Sequence, residues 1–150
     1  MPFGFLKSLF TKPEPVVVRD EYLGELRSDA TDCWIGSKHF APAGADVDFT
    51  FQTGEAPPTA EDVAFFKEIE ARFPDLWKEL RGMLLADMDD LPDGTTMEQV
   101  FDSLKVEHIF IHGPREKPVR WEISCTTPHD DHILGIQMSG FENQGFGMDG

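Results

Sequence analysis

The sequence predicts an α+β domain in which one long kinked helix, or a helix pair, packs on one face of a mainly antiparallel sheet. Residues 45–53 alternate apolar and polar side chains, which is the two-residue period of a strand with one buried face. Between Val63 and Leu84 apolar residues recur at helical spacing and keep their phase across Pro74, so this stretch is either one kinked helix or two abutting helices. Strand-like segments stand before and after it, and this order of strands, helices and strands is typical of the α+β class.

Turn and capping signals set the limits of the predicted elements. Thr59 with Asp62, and Thr96 with Gln99, have the spacing of capping boxes, which predicts a helix start after each threonine. The remaining strands are predicted in a hairpin over residues 22–40 and, after the helices, in residues 105–112, 117–126 and 131–139. In the second of these late strands, Trp121, Ile123 and Cys125 share one face, while Arg120, Glu122 and Ser124 share the other. The glycine-rich residues 140–150 predict a weak edge strand.

The length of 150 residues fits a single domain, predicted over residues 16–150 and preceded by a short amphipathic arm, residues 1–12. Phe3, Leu6 and Phe10 can share one helical face of that arm, which we expect to dock on protein rather than on a membrane. No run approaches the length of a transmembrane helix, and the N-terminus lacks the pattern of a secretory signal. With only two cysteines, expected to be reduced and buried, the sequence predicts a cytoplasmic protein.

The strongest compositional signal is acidity, with 28 acidic against 13 basic residues and a net charge of −15. Such a field repels nucleic acid and anionic membranes and suits a basic protein partner. The densest acidic patch lies in a stretch with no basic residue between Arg81 and Lys105, and it comprises Asp87, Asp89, Asp90, Asp93, Glu98 and Asp102. The competing interpretation is a solvated acidic loop and helix start, because acids at a helix start also suit the helix dipole. The spacing does not match a calcium-binding EF-hand loop.

No phosphate-binding loop, dinucleotide-binding glycine pattern, nucleophile elbow, CxxC or HExxH motif is present, so we expect a non-enzymatic protein without a cofactor. An alternative is a metal-binding module or hydrolase centred on His129 and His132, with His108 converging on them from another strand. His108 and His112 are predicted to share a face of their strand. The competing interpretation is a hydrated hairpin turn with a hydrogen-bonded His132, because turns favour Asp regardless of metals. Cys125 is predicted to be an inert core thiol.

Several short segments carry a resemblance to a bacterial family of small acidic proteins of unknown function. They are Tyr22-Leu-Gly-Glu-Leu26, Trp34-Ile-Gly36, Val47-Asp-Phe-Thr-Phe51, the helix led by Thr59, and His132-Ile-Leu-Gly-Ile136, within residues 16–147. Such proteins are similar to immunity proteins found beside polymorphic toxins. The resemblance implies a protein-binding role and supplies no catalytic residues. A further alternative is a structural subunit of a homo-oligomer that uses the N-terminal arm to reach its neighbour.

Overall fold

The structure is a computed structural model that describes residues 14–29, 32–113, 116–128 and 130–149, with the backbone alone for 130–132 and 149. The predicted arm, residues 1–12, lies outside the described residues. The described residues form eight strands and two helices. The strands are β1 Val17–Asp20, β2 Gly24–Ser28, β3 Trp34–Phe40, β4 Ala45–Phe51, β5 Lys105–Ile111, β6 Arg120–Thr127, β7 Asp130–Ser139 and β8 Glu142–Asp149. The helices are α1 Ala60–Asp87 and α2 Met97–Asp102, and a 3-10 turn spans Ala41–Ala43.

All eight strands form one sheet whose spatial order follows the chain from β1 to β8. Neighbours are antiparallel except the central pair β4 and β5, which are parallel. The α+β class and the mainly antiparallel sheet are therefore confirmed. The predicted order of strands, helices and strands is not matched, because the helices lie in mid-chain between two neighbouring strands of one sheet. They form the crossover between its two central strands, because a parallel pair needs a long connection that a hairpin cannot provide.

Helix α1 runs without interruption for 28 residues, with Pro74 inside it on the exposed side. One continuous helix, and not a pair, therefore accounts for the apolar stripe. Both capping boxes are confirmed. The side chain of Thr59 accepts a hydrogen bond from the Asp62 backbone, and that of Thr96 accepts one from the Gln99 backbone. In return, the side chains of Asp62 and Gln99 accept hydrogen bonds from the backbones of Thr59 and Thr96. The buried side of α1 lies against the inner face of the sheet and comprises Asp62, Val63, Phe66, Ile69, Phe73, Leu76, Leu80 and Leu84.

Aromatic rings fill the layer between α1 and the sheet. Phe66 from α1 packs against Phe49 of β4, with ring centroids 5.3 Å apart, and Phe73 packs edge-on against Phe40 at 5.0 Å. The ring of Phe49 extends over Gly36, where a Cβ atom would lie 2.5 Å from its Cζ. Each such buried ring stabilises the fold by roughly 1.5–3 kcal/mol. Gly36 is therefore required for the packing of the core.

One ion pair is enclosed between the sheet and α1. The Nζ atom of Lys38, on the inner face of β3, lies 3.1 and 3.0 Å from the two carboxylate oxygens of Glu70. Each side chain is 15% exposed, and the ring centroid of Tyr22 lies 4.3 Å from the same Nζ. Burial lowers the pKa of Lys38 and raises the pKa of Glu70. A backbone hydrogen bond with Ala41 offsets part of the shift of Glu70.

The glycine-rich tail forms β8, an edge strand as predicted, which pairs with β7 from Ile133 to Ser139. Within the described residues, no helix combines the length and apolar character needed to cross a bilayer.

Candidate functional site

The predicted acidic patch lies at the end of α1 and around α2, and its carboxylates fall into three groups. Asp90 and Asp93 hold the loop together, since each accepts a backbone N–H bond of 2.9 Å, from Met97 and Thr95 respectively. Glu98 and Asp102 bind the guanidinium of Arg81 at 2.7 and 3.2 Å, and these bonds raise the pKa of Arg81. The third group is Asp87 and Asp89, which are exposed and have no ion pair among the described residues.

The helical layer, residues 60–104, concentrates the negative charge of the protein. It contains twelve acidic and four basic residues, a net charge of −8 out of −15 for the whole chain. Asp75 and Glu79, on the exposed side of α1, also lack an ion pair within the described residues. The layer covers one face of the sheet only, and its acidic residues are exposed on that side except the buried Asp62 and the enclosed Glu70.

The predicted metal ligands are not brought together where the structure describes them. The Nε2 atom of His108 lies 2.7 Å from the hydroxyl of Thr50. His129 and the side chain of His132 lie outside the described residues. The register puts the backbones of His108 and His132 two strands and three residues apart, about 14 Å at ordinary strand spacing. Among the described residues, no three side chains of the types His, Cys, Asp and Glu gather as a metal site.

The sheet face that points away from α1 carries a cluster that the sequence did not indicate as a site. His108 and His112 share this face, as predicted, with Phe110 between them: its ring centroid is 6.0 Å from that of His108 and 4.3 Å from that of His112. Burial lowers the pKa of His108, and the charges of Asp48 and Glu122 oppose that shift in part. The neighbouring Thr50, which lies opposite Phe110 and within hydrogen-bond distance of the His108 ring, is only 5% exposed.

Glu122 is the acidic member of this cluster. It lies directly opposite Phe110 on the adjacent strand, and its Oε2 atom is 4.0 Å from His112 Nε2. Its carboxylate lies over Gly135, where a Cβ atom would be 2.8 Å from Glu122 Oε1. Glycine at 135 therefore leaves the space that this carboxylate occupies. No Lys or Arg of the described chain reaches within 4.0 Å of the carboxylates of Glu122 or Asp48.

Two grooves flank the cluster on the same side of the sheet. A groove of about 480 Å³ lies beside Glu122 and is lined by Gln137, Gln144 and Arg120 among others. Another of about 570 Å³ lies over β2 and β3 and ends at Asp48. The alternation of histidine and phenylalanine in residues 108–112 was the available signal for the cluster. The pairing of β5 with β6, which brings Glu122 to the cluster, cannot be predicted from the sequence pattern.

The thiols are unsuited to nucleophilic chemistry. Cys125 is fully buried, and burial, with a smaller contribution from Glu107, raises the pKa of its thiol to about 12. Cys33 is buried as well. The alternation in β6 is as predicted, with Trp121, Ile123 and Cys125 in the core.

Searches for a matching family model, for a similar curated protein and for a similar solved structure gave no match to this chain.

Proposed function

We propose that this protein is a non-enzymatic binding domain whose acidic helical layer, residues 60–104, holds a basic partner protein. The observation that supports the proposal is the concentration of charge: −8 on the layer that covers one side of the sheet. A surface of one sign raises the association rate of an oppositely charged partner and excludes partners of like charge. The resemblance to immunity proteins agrees with this role, since it implies that the partner is a toxin.

Four exposed carboxylates are available to such a partner. Asp75, Glu79, Asp87 and Asp89 make no ion pair with the described part of the chain, so a partner's cations need not displace an internal one. Charges at an exposed interface are screened over a Debye length of about 8 Å at physiological salt. Binding should therefore weaken as salt is added, and it should depend on where the carboxylates lie as well as on how many there are.

The test compares two variants that carry the same net charge. One neutralises the helical layer with Glu79→Gln, Asp87→Asn and Asp89→Asn. The other neutralises three exposed carboxylates elsewhere, with Glu21→Gln, Glu55→Gln and Glu116→Gln. Binding of the basic protein cytochrome c is measured by titration calorimetry at rising salt.

We expect the helical-layer variant to bind about tenfold more weakly than the unmodified protein, at roughly 0.5 kcal/mol for each exposed charge. The matched variant should lose markedly less affinity. Equal losses in the two variants, or binding that does not respond to salt, would contradict the proposal.

A further inference from the structure

On the sheet face that points away from α1, an aromatic ring and a carboxylate lie side by side, and no Lys or Arg of the described residues pairs with them. Phe110 and Glu122 are directly opposed on β5 and β6, so their Cβ atoms are roughly 4.5–5.5 Å apart. Phe110 is half-buried by its histidine neighbours and does not belong to the core cluster. We propose that Phe110 and Glu122 form a second binding site, which takes an arginine side chain of a partner polypeptide, and that protonated His112 competes for it.

The same combination of ring, carboxylate and cation occurs inside this protein. Lys38 lies 4.3 Å from the Tyr22 ring centroid and binds Glu70 with both carboxylate oxygens. Arg72 places its guanidinium carbon 3.7 Å from the ring centroid of Phe141. At Phe110 and Glu122, by contrast, the described residues supply no such cation, so that position is open to one from outside.

The site is accessible and offers the two kinds of group, a ring and a carboxylate, that bind a guanidinium. The side chain of Glu122 is 32% exposed, and the adjoining groove of about 480 Å³ opens beside it. A planar guanidinium can stack on an aromatic ring while it donates two hydrogen bonds to one carboxylate. The amides of Gln137 and Gln144 in the same groove can bind the backbone that carries the arginine.

His112 is placed to act as an internal competitor. Its ring is tilted by 42° to that of Phe110, with 4.3 Å between the centroids, and its Nε2 atom lies 4.0 Å from Glu122 Oε2. A neutral imidazole leaves the charge of Glu122 to the partner, whereas an imidazolium occupies both the ring and the carboxylate with its own positive charge. Acidification favours the imidazolium, so it should close the site.

The other charged or titratable groups facing this cluster come from the neighbouring strands, since α1 covers the opposite face. Asp48 on β4, His108 on β5 and Arg120 on β6 are those groups within the described residues. None of them lies as close to both Phe110 and Glu122 as His112 does, so His112 should account for most of the pH dependence, with a smaller part from His108, on which the charge of Glu122 also acts.

The experiment uses a blocked Gly-Arg-Gly peptide and its citrulline analogue, an uncharged isostere, titrated into the full chain while backbone amide signals are recorded by NMR. At pH 7.5 the arginine peptide should shift the signals of Phe110, Glu122 and Gln137, and the citrulline peptide should not. Glu122→Gln should weaken arginine binding about tenfold, while the matched charge change Glu55→Gln should leave it unaltered. Affinity should fall several-fold between pH 7.5 and pH 5.5.

Two histidine variants test the competition. His112→Gln should lose most of the pH dependence of arginine-peptide binding, while His39→Gln should keep all of it. His39 is a fair control because it lies on the same sheet face, 3.6 Å from Asp46. Citrulline binding as strong as arginine binding, Glu122→Gln behaving like Glu55→Gln, or an unchanged pH dependence in His112→Gln would each overturn the inference.

Discussion

The enclosed ion pair between Lys38 and Glu70 leads to a prediction about stability. Replacing Lys38 alone should destabilise the protein, whereas replacing both residues together should not. Replacing Lys38 by methionine leaves the Glu70 carboxylate, 15% exposed, without its cation. Removal of one partner from a fully buried pair costs about 3–5 kcal/mol, so this partly exposed pair should lose about 2–3 kcal/mol of unfolding free energy. Replacing the pair together, as Lys38→Met with Glu70→Leu, removes both charges and their hydration cost. The double variant should therefore lie within about 1 kcal/mol of the unmodified protein, or above it.

The measurement is urea unfolding followed by fluorescence of the buried residues Trp34 and Trp121. Lys67→Met is the matched control, because Lys67 is exposed and also approaches the Tyr22 ring, at 4.9 Å; its loss should cost under about 0.5 kcal/mol. The deficit of Lys38→Met should shrink on acidification, since a protonated Glu70 needs no cation. A double variant as unstable as Lys38→Met alone, or a Lys38→Met deficit no larger than that of the control, would refute the reasoning.

Three further predictions concern single residues. Cys125, whose thiol pKa burial raises to about 12, should not react with Ellman's reagent in the folded protein at pH 8, and should react fully in denaturant. The pKa of His108 is lowered in the folded state, so on acidification the unfolded chain takes up the proton first. The free energy of unfolding should therefore fall as the pH drops through about 6.5. His108→Gln should lack that part of the fall when urea unfolding is compared at pH 7.5 and 5.5. Thr59→Ala should lower the unfolding free energy by about 1 kcal/mol, because the hydroxyl that accepts the Asp62 N–H is lost, and Thr59→Ser should retain most of it in the same urea assay.

The features of the fold that could be predicted are those that depend on residues close together in the sequence. The two capping boxes start the helices at Thr59 and Thr96 because each involves residues only three apart. The alternation around Val47 and Trp121 identifies the buried face of each strand, since that face depends on side-chain period alone. These patterns predict which side of an element is buried, but they do not predict which element lies beside it.

The pairing of strands could not be predicted, and the candidate site depends on it. Glu122 meets Phe110 and His112 only because β5 and β6 pair in one register out of several that their patterns would allow. The position of Lys38 was open to prediction: it lies in phase with Trp34 and Phe40 on the buried face of β3, and a lysine in that phase requires an acidic partner. Its partner Glu70 is 32 residues away on α1, a distance that no local pattern spans.

The two proposed surfaces differ in how they respond to protons, and this difference separates them by experiment. The three histidines with described side chains, His39, His108 and His112, all lie on the uncovered sheet face, while residues 60–104 contain no histidine. Histidine is the side chain whose charge ordinarily changes between pH 5 and pH 8, so lowering the pH from 7.5 to 5.5 should act on the sheet face and not on the helical layer. A basic partner held by the helical layer should keep its affinity over this range, whereas one anchored by an arginine at Glu122 should bind several-fold more weakly. One titration at two pH values thus assigns any partner to one face of the molecule.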